Sequence, residues 1–312
     1  MGKSILRRVI LRYIRKDVFK ILPDKAFIKL QYYAATGKRL NLKKPVLFNE
    51  KIQWLKLNDK NPVYPILVDK YRAKKYISKQ LGKDYVIPTL KIWSSVDEIE
   101  WDKLPEKFVI KTTHDSGCAF VCKDKNSFDT NDVSSKLNSS MKESYYWPGR
   151  EWPYKYVKPR ILVEQYMCDD SSVPEEKQEL SDYKFYCFNG QVDCVMICYD
   201  RASGDTKYYF FDENWTLKRI NKRGKAAPKD FTLPKPVCLE KMFTIASSLS
   251  KGLPFVRVDL YQSDGRVYFG EMTFYPQSGF DPNYLPETDR YFGDKIDIDL
   301  VKQKRLKRNG EY

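Results

Sequence analysis

The stretch "RVDLYQSDGRVYFGEMTFYPQSGF", residues 257–280, constrains the chain most. Two apolar, β-rich runs flank a Ser-Asp-Gly turn, and each carries polar residues two apart. A strand alternates its faces, so Arg257, Asp259 and Tyr261 share one side, and Val267, Phe269, Glu271 and Thr273 share one side of the next run. Whether the polar sets meet depends on the turn, because a one-residue slip sends every side chain to the other face. A three-residue loop of Ser263, Asp264 and Gly265, with Gly265 left-handed, pairs Arg257 with Glu271 and Asp259 with Phe269. Asp259 and Glu271 then lie diagonally, about 7–8 Å apart at the backbone, within reach of a common metal. A two-residue Asp-Gly turn separates them unless a bulge intervenes; we take the three-residue version. The plainer alternative is an exposed hairpin in which Arg257 merely pairs with Glu271.

The remaining composition sets bounds. With 312 residues, 42% hydrophobic and 15% aromatic, the chain can bury a large core in one large or two coupled domains. No apolar run approaches the roughly 20 residues of a transmembrane helix. Arg7, Arg8, Arg12, Arg15 and Lys16 interrupt the apolar start, which does not read as a secretory signal. Seven cysteines at irregular spacing suit a reducing cytoplasm better than a disulfide framework. The single histidine, His114, is the only residue on which Ser-His or Cys-His chemistry could rest. A net charge of +15 favours an anionic partner: nucleotide phosphates, an acidic polymer or a lipid surface.

Along the chain, residues 5–22 have helical apolar spacing with a basic remainder. That pattern fits a helix packed on the body or one lying on the anionic inner face of a membrane. "DKAFIKLQYYAATGKRL" predicts a helix closed by Gly37, and "FNEKIQWLKLND" a third with Asn49 as its cap. "VDKYRAKKYISKQLG" predicts a helix ending at Gly82. "DYVIPTLKIW", "KFVIK", "CAFVCKD", "ILVEQYM", "DYKFYCFNG", "QVDCVMICYD" and "TKYYFFDENW" predict strands, and residues 238–250 a helix. The division expected is a helical basic segment at 1–65, a first α+β unit at 66–160 and a second at 161–312. Helices followed by mixed strands argue α+β layers and not a parallel doubly wound sheet.

Four stretches in this order resemble the ATP-grasp superfamily, and "FNEKIQWLKL", "DYKFYCFNG" and "EMTFYPQSGF" resemble its TupA-like branch, found with bacterial cell-wall and capsular polysaccharide synthesis. The resemblance spans roughly residues 45–285 and implies two α+β subdomains clasping ATP with Mg²⁺. "DKYRAK" is similar to the start of the nucleotide-binding unit of D-alanine–D-alanine ligases, which gives Lys74 a phosphate contact. "FVIK" and the loop after it imply the same for Lys111 and for the lid His114, Asp115, Ser116 and Gly117. "ILVEQYM" resembles the adenine hinge, implying Glu164, Gln165 and Tyr166 at the base; Asp169 and Asp170, just beyond, are offered for the ribose at an unusual spacing. The hairpin implies Asp259, Glu271 and Thr273 as metal ligands and Arg257 as holder of an anionic substrate group. The backbone at Ser278 and Gly279 resembles the loop that approaches the reacting carboxyl, and Lys184 could bind phosphate or substrate or pair across strands.

The residue types suit that chemistry: lysines and a divalent ion on hard oxygen donors neutralise the polyphosphate as the phosphoryl group moves. Thr273 departs from the pattern, replacing an asparagine. The Rossmann-like domain that precedes most such units is also absent, with about 65 helical residues in its place, so acceptor identity does not carry over. The leading expectation is a carboxylate–amine ligase acting through an acyl phosphate on an amino acid and a uronic acid of an acidic polysaccharide, in the cytoplasm. The aromatic segment "YYWPGREWPYKY" could stack on sugar rings. The alternatives are a glycosyltransferase using Asp297 and Asp299, though their alternation with Ile296, Ile298 and Leu300 reads as a strand face, and a non-catalytic binder of anionic polymer. No RNA-binding signature is present, and nucleic acid is not an expected partner.

Overall fold

The computed structural model describes residues 7–8, 10–12, 14, 17–169, 180–199 and 205–309. Much of the expected first helix and its membrane-facing role, and Asp170, lie outside the described residues. Of that segment's basic side chains, Arg7 donates to the carbonyls of Ala34 and Ala35 at 3.0 and 2.9 Å. There it satisfies the C-terminal end of α1, Asp24–Thr36, which Gly37 closes at φ 76°.

Helix α2, Phe48–Asn58, has its cap two residues before the expected one. Leu47 is the capping position and the Glu50 carboxylate accepts from the amides of Val46 and Leu47, while Asn49 is buried inside the helix. Asp69 caps α3, Lys70–Leu81, by accepting from the amides of Tyr71 and Arg72. Strands β1 (Thr89–Trp93), β2 (Phe108–Thr112), β3 (Ala119–Cys122) and β4 (Ile161–Gln165) form an antiparallel sheet in the order β1-β4-β2-β3. Helix α4, Thr130–Lys142, covers it through Val133 and Leu137. Because β4 belongs to this sheet, the first unit runs past the division expected at residue 160.

The second sheet is antiparallel with six strands: β5 (Asp182–Phe188), β6 (Gln191–Tyr199), β7 (Lys207–Phe211), β8 (Leu217–Lys218), β9 (Phe255–Ser263) and β10 (Arg266–Thr273), ordered β10-β9-β5-β6-β7-β8. Helix α5, Leu239–Ser250, packs on it through Met242, Ile245 and Ala246. Alternation along β5 and β9 buries Phe185, Val256, Val258 and Leu260 in the same core that takes Phe48, Ile52 and Leu55 of α2. The N-terminal helical segment is therefore built into the second unit's core. None of the seven cysteines is in a disulfide. No helix among the described residues is long and apolar enough to cross a membrane.

The β9–β10 register corrects the expected turn. Ser263 pairs with Arg266, leaving only Asp264 and Gly265 between the strands, both left-handed at φ 45° and 70°. This is the two-residue turn, and alone it would put Asp259 opposite Gly270. A bulge between Phe269 and Glu271 moves the pairing by one residue, so Glu271 lies directly opposite Asp259 and Thr273 opposite Arg257. Gly270 is required there: a Cβ would sit 2.8 Å from the Tyr261 ring and 3.0 Å from the Asp259 carbonyl oxygen. Gly270→Ala is expected to cost about 1–3 kcal/mol through overpacking; urea unfolding of the purified variant would measure it, and unchanged stability would show that the bulge tolerates a methyl.

Candidate functional site

The polar face of the β9–β10 hairpin carries a dense charge cluster. Arg257 Nη2 lies 2.7 Å from Asp259 Oδ2, 3.1 Å from Glu271 Oε1 and 3.0 Å from Thr273 Oγ1. Three oxygens from two strands thus converge on one nitrogen. On the neighbouring strand, which pairs Lys184 with Asp259, Lys184 Nζ bonds Asp259 Oδ2 at 2.5 Å and also reaches Asp182. Burial raises the Asp259 carboxyl's pKa, and the cations of Arg257 and Lys184 oppose that rise. For Lys184, burial favours proton loss, but Asp259, Asp182 and Glu271 together outweigh it and hold the ammonium above its ordinary range.

A second cluster lies on the four-stranded sheet. Glu164, in β4, is buried between Lys74 of α3 and Lys111 of β2, with ammonium-to-carboxylate distances of 2.6 and 2.5 Å. Burial pushes the Glu164 carboxyl up, but Lys111 and Lys74 outweigh it and leave the pKa below its ordinary value. Both sequence-predicted phosphate lysines are therefore brought together. The expected base contact, Glu164, is in this arrangement the anion that holds them. Its hinge neighbour Gln165 is exposed and donates its amide to the Pro88 carbonyl, and Tyr166 sits at the strand exit beneath Lys123.

Lys70, the first lysine of the same helix, was not expected and sits between the clusters. Its ammonium bonds the carbonyls of Thr112, at 3.0 Å, and Asp115, and it feels the charges of Lys111 on one side and Glu271 on the other. Burial lowers its pKa, with Asp115 and Glu271 opposing. A further link joins the hairpin turn to the end of the hinge, where the Asp264 amide donates to the Asp169 carbonyl at 3.0 Å.

The lid residues divide. Ser116 and Gly117 are the exposed tip of the β2–β3 turn, with Gly117 at φ 99°. His114 and Asp115 point inward, contrary to expectation. The imidazole is buried with Nε2 3.1 Å from the Ser140 carbonyl, and the Asp115 carboxylate is held by Thr112, Ser140 and Lys70. Asp169 is likewise engaged: its carboxylate accepts from the amide and hydroxyl of Ser181. Ser278 and Gly279 lie in a left-handed turn that α2 grips.

The expected strand at Asp297 and Asp299 is a helix start instead. Asp297 Oδ1 accepts from the amides of Asp299 and Leu300 at the N-terminus of α7, Ile298–Asn309, which follows α6, Pro286–Lys295. Most of "YYWPGREWPYKY" packs inward. Tyr146 and Trp152 are buried, and Arg150 pairs with Asp24, leaving Tyr156 as the exposed ring.

Two antiparallel sheets, one presenting paired lysines and the other a carboxylate hairpin with a cationic lining, define a protein of the ATP-grasp class. A profile described as TupA-like ATPgrasp matches residues 50–297, and the chain belongs to that family. No curated protein matches it. Among solved structures, D-alanine–D-alanine ligase from Bacillus anthracis in complex with ATP is 17% identical, with 78% of this chain and 68% of that chain covered at a TM-score of 0.46. The ATP-grasp ligase PsnB with its minimal precursor is 11% identical, with 82% and 68% covered at 0.41. D-alanine–D-alanine ligase from Helicobacter pylori is 14% identical, with 76% and 58% covered at 0.40.

Membership makes this a protein of the ATP-grasp type, for which ATP is the nucleotide, and the ion that accompanies a bound triphosphate is Mg²⁺. The residues fit the ion. Asp259, Glu271 and Thr273 supply hard oxygens converging on the point that the Arg257 nitrogen marks. Among the described residues no group of three His, Cys, Asp or Glu side chains is placed to hold a metal ion.

Glu164→Gln is expected to destabilise the protein by about 3–5 kcal/mol, because two ammonium groups lose their buried partner. The pH dependence has a definite sign: a carboxyl with a lowered folded pKa contributes stability above its unfolded pKa, about 4.3, and loses it as pH falls through the folded value. Denaturant titrations at several acidic pH values should show a shallower acid decline in the variant than in the wild type.

Proposed function

We propose that the protein is a carboxylate–amine ligase that joins an amino acid to a uronic acid of an acidic cell-surface polysaccharide. A carboxylate oxygen of one substrate attacks the terminal phosphorus of ATP, and ADP leaves. The amine of the other then attacks the acyl carbon; inorganic phosphate leaves, the nitrogen loses a proton, and an amide remains. Lys74, Lys111 and Lys70 supply fixed positive charge along the polyphosphate, and Lys184 adds to it near the hairpin. Asp259, Glu271 and Thr273 would hold Mg²⁺, which supplies charge neutralisation between the phosphates when bound. Once those oxygens take another cation, Arg257 is free to turn its planar fork on a substrate carboxylate or the acyl phosphate.

The observation that carries this reading is the meeting of Asp259, Glu271 and Thr273 at one Arg257 nitrogen, with Lys184 on the next strand. A small cleft beside Arg257 is lined by Tyr186, Tyr208, Gln277, Asp281 and Asn283. The net charge of +15 supports an acidic one. A cytoplasmic site, with the N-terminal basic segment at the inner membrane face, fits the same substrate. The Asp-x-Asp at 297–299 gives a transferase reading little support, because Asp297 is engaged in capping.

Purified protein with ATP, Mg²⁺ and panels of uronic acids and amino acids should release ADP. Glu271→Gln should reduce that rate by about 10²–10³ through loss of a charge-stabilising group, while Asp297→Ala with Asp299→Ala should leave it unchanged. Nucleotide binding at background with no ADP released, or activity that follows the aspartate pair, would refute the assignment.

A further inference from the structure

Helix α2 buries two polar side chains that the phosphate chemistry does not use. Gln53 and Lys56 are 0% and 1% exposed, although lysine is almost never fully buried without a partner. Lys56 Nζ donates to the carbonyl oxygen and to the hydroxyl of Ser278, both at 2.8 Å. Gln53 Nε2 donates to the carbonyls of Ser278 and Gly279 at 2.9 and 3.1 Å. Both side chains come from the same helix face, three residues apart, and both donate to the Ser278 carbonyl.

What they grip is strained. Gln277, Ser278 and Gly279 have successive φ values of 47°, 53° and 70°, and the first two pay for left-handed backbone without being glycine. Such a turn persists only where its surroundings over-determine it. Ser278 is also closed in from a third element: a Cβ on Gly149 would lie 2.2 Å from its hydroxyl and 2.8 Å from Glu151 Oε1. The rings of Tyr275 and Phe280 flank the ammonium at 5.9 and 5.4 Å. Glu151 is the ionisable group that faces Lys56. Burial lowers the Lys56 pKa to about 8 against the pull of Glu151, and burial raises Glu151 against the pull of Lys56.

We infer that Lys56, assisted by Gln53, is a positioning residue for ligation: it fixes the Ser278–Gly279 turn in the conformation presented to the reacting carboxyl. This rests on the proposed ligase reading, in which that turn lines the acyl-transfer side of the site. Lys56 touches the turn and not the nucleotide cluster, whose lysines are held by Glu164 and Asp115. Its loss should therefore separate nucleotide binding from turnover.

The test uses full-length wild type, Lys56→Met and Lys56→Arg. MgATP affinity is measured by calorimetry, and turnover as hydroxamate formed from ATP, glucuronic acid and hydroxylamine, the last standing in for the amine. Amide hydrogen exchange is followed over residues 275–281. Lys56→Met should keep wild-type MgATP affinity and nucleotide KM, exchange faster in the turn, and lose about 100-fold in kcat, as expected for a misplaced reacting group. Wild-type turnover should fall above about pH 8 as the ammonium is lost. Lys56→Arg should restore turnover and keep it to higher pH. Unaltered kcat and pH profile in Lys56→Met, or loss of MgATP binding together with turnover, would overturn the inference while the ligase reading stands. A wild type that binds no MgATP and yields no hydroxamate would overturn the ligase reading and this inference with it, even if the turn loses protection in Lys56→Met.

Discussion

The Asp259–Glu271 juxtaposition depends on a parity rule. In an antiparallel hairpin with a two-residue turn, Asp259 and Glu271 fall on opposite faces, and no side-chain rotation brings them back together. The extra residue at Gly270 restores the match, and only a residue without a Cβ fits between the Tyr261 ring and the Asp259 carbonyl. The polar cluster on that hairpin follows. Arg257 meets both carboxylates and Thr273 because the bulge has placed them, and Lys184 meets Asp259 because β5 pairs with β9 without a slip.

A second constraint is that these charges are not left waiting in water. Asp259 and Glu164 are buried, and a buried carboxylate is tolerable only when paired and hydrogen-bonded. Each therefore carries two cations: Arg257 and Lys184 on one, Lys74 and Lys111 on the other. The same groups that would bind a metal and a polyphosphate are thus held in register by one another. Binding becomes an exchange of partners within a fixed framework, in which the cost of desolvating the charges has already been met during folding. Lys70 lies within electrostatic reach of both Lys111 and Glu271, one from each sheet.

Periodicity made much of the architecture legible. Apolar spacing and end signals located α1, α3 and α5, and alternation located the strands of both sheets except the two-residue β8. The face shared by Asp259 and Glu271 was also readable, although through the wrong turn, because a bulge leaves no mark in sequence except a glycine inside a strand. Family resemblance pointed to Lys74, Lys111 and Arg257, which lie in the clusters. It also pointed to His114 and Asp169, whose side chains are engaged by Ser140 and Ser181. Those partners are 26 and 12 residues away, and local spacing carries no information about them. Lys56 and Lys70 were passed over for the same reason: a lysine in a helix reads as solvated until the fold supplies its burial. The Asp297 cap was mistaken for a strand face because Ile296, Ile298 and Leu300 alternate for only five residues, too few to separate the two periods.

The polar face of α2 shows how the N-terminal segment becomes inseparable from the rest. Its apolar positions, Phe48, Ile52 and Leu55, enter the core of the six-stranded sheet, and that anchorage fixes the helix's rotation. With the rotation fixed, Gln53 and Lys56 have one direction in which to point, and it is occupied by the carbonyls of Ser278 and Gly279. Those carbonyls face the helix only because three successive residues adopt left-handed backbone. The helix and the turn thus stabilise each other: without the donors the turn would relax, and without the turn a buried ammonium would lose both hydroxyl and carbonyl partners. A helical segment that looks like an appendage in sequence is, by this mutual dependence, a structural wall of the site.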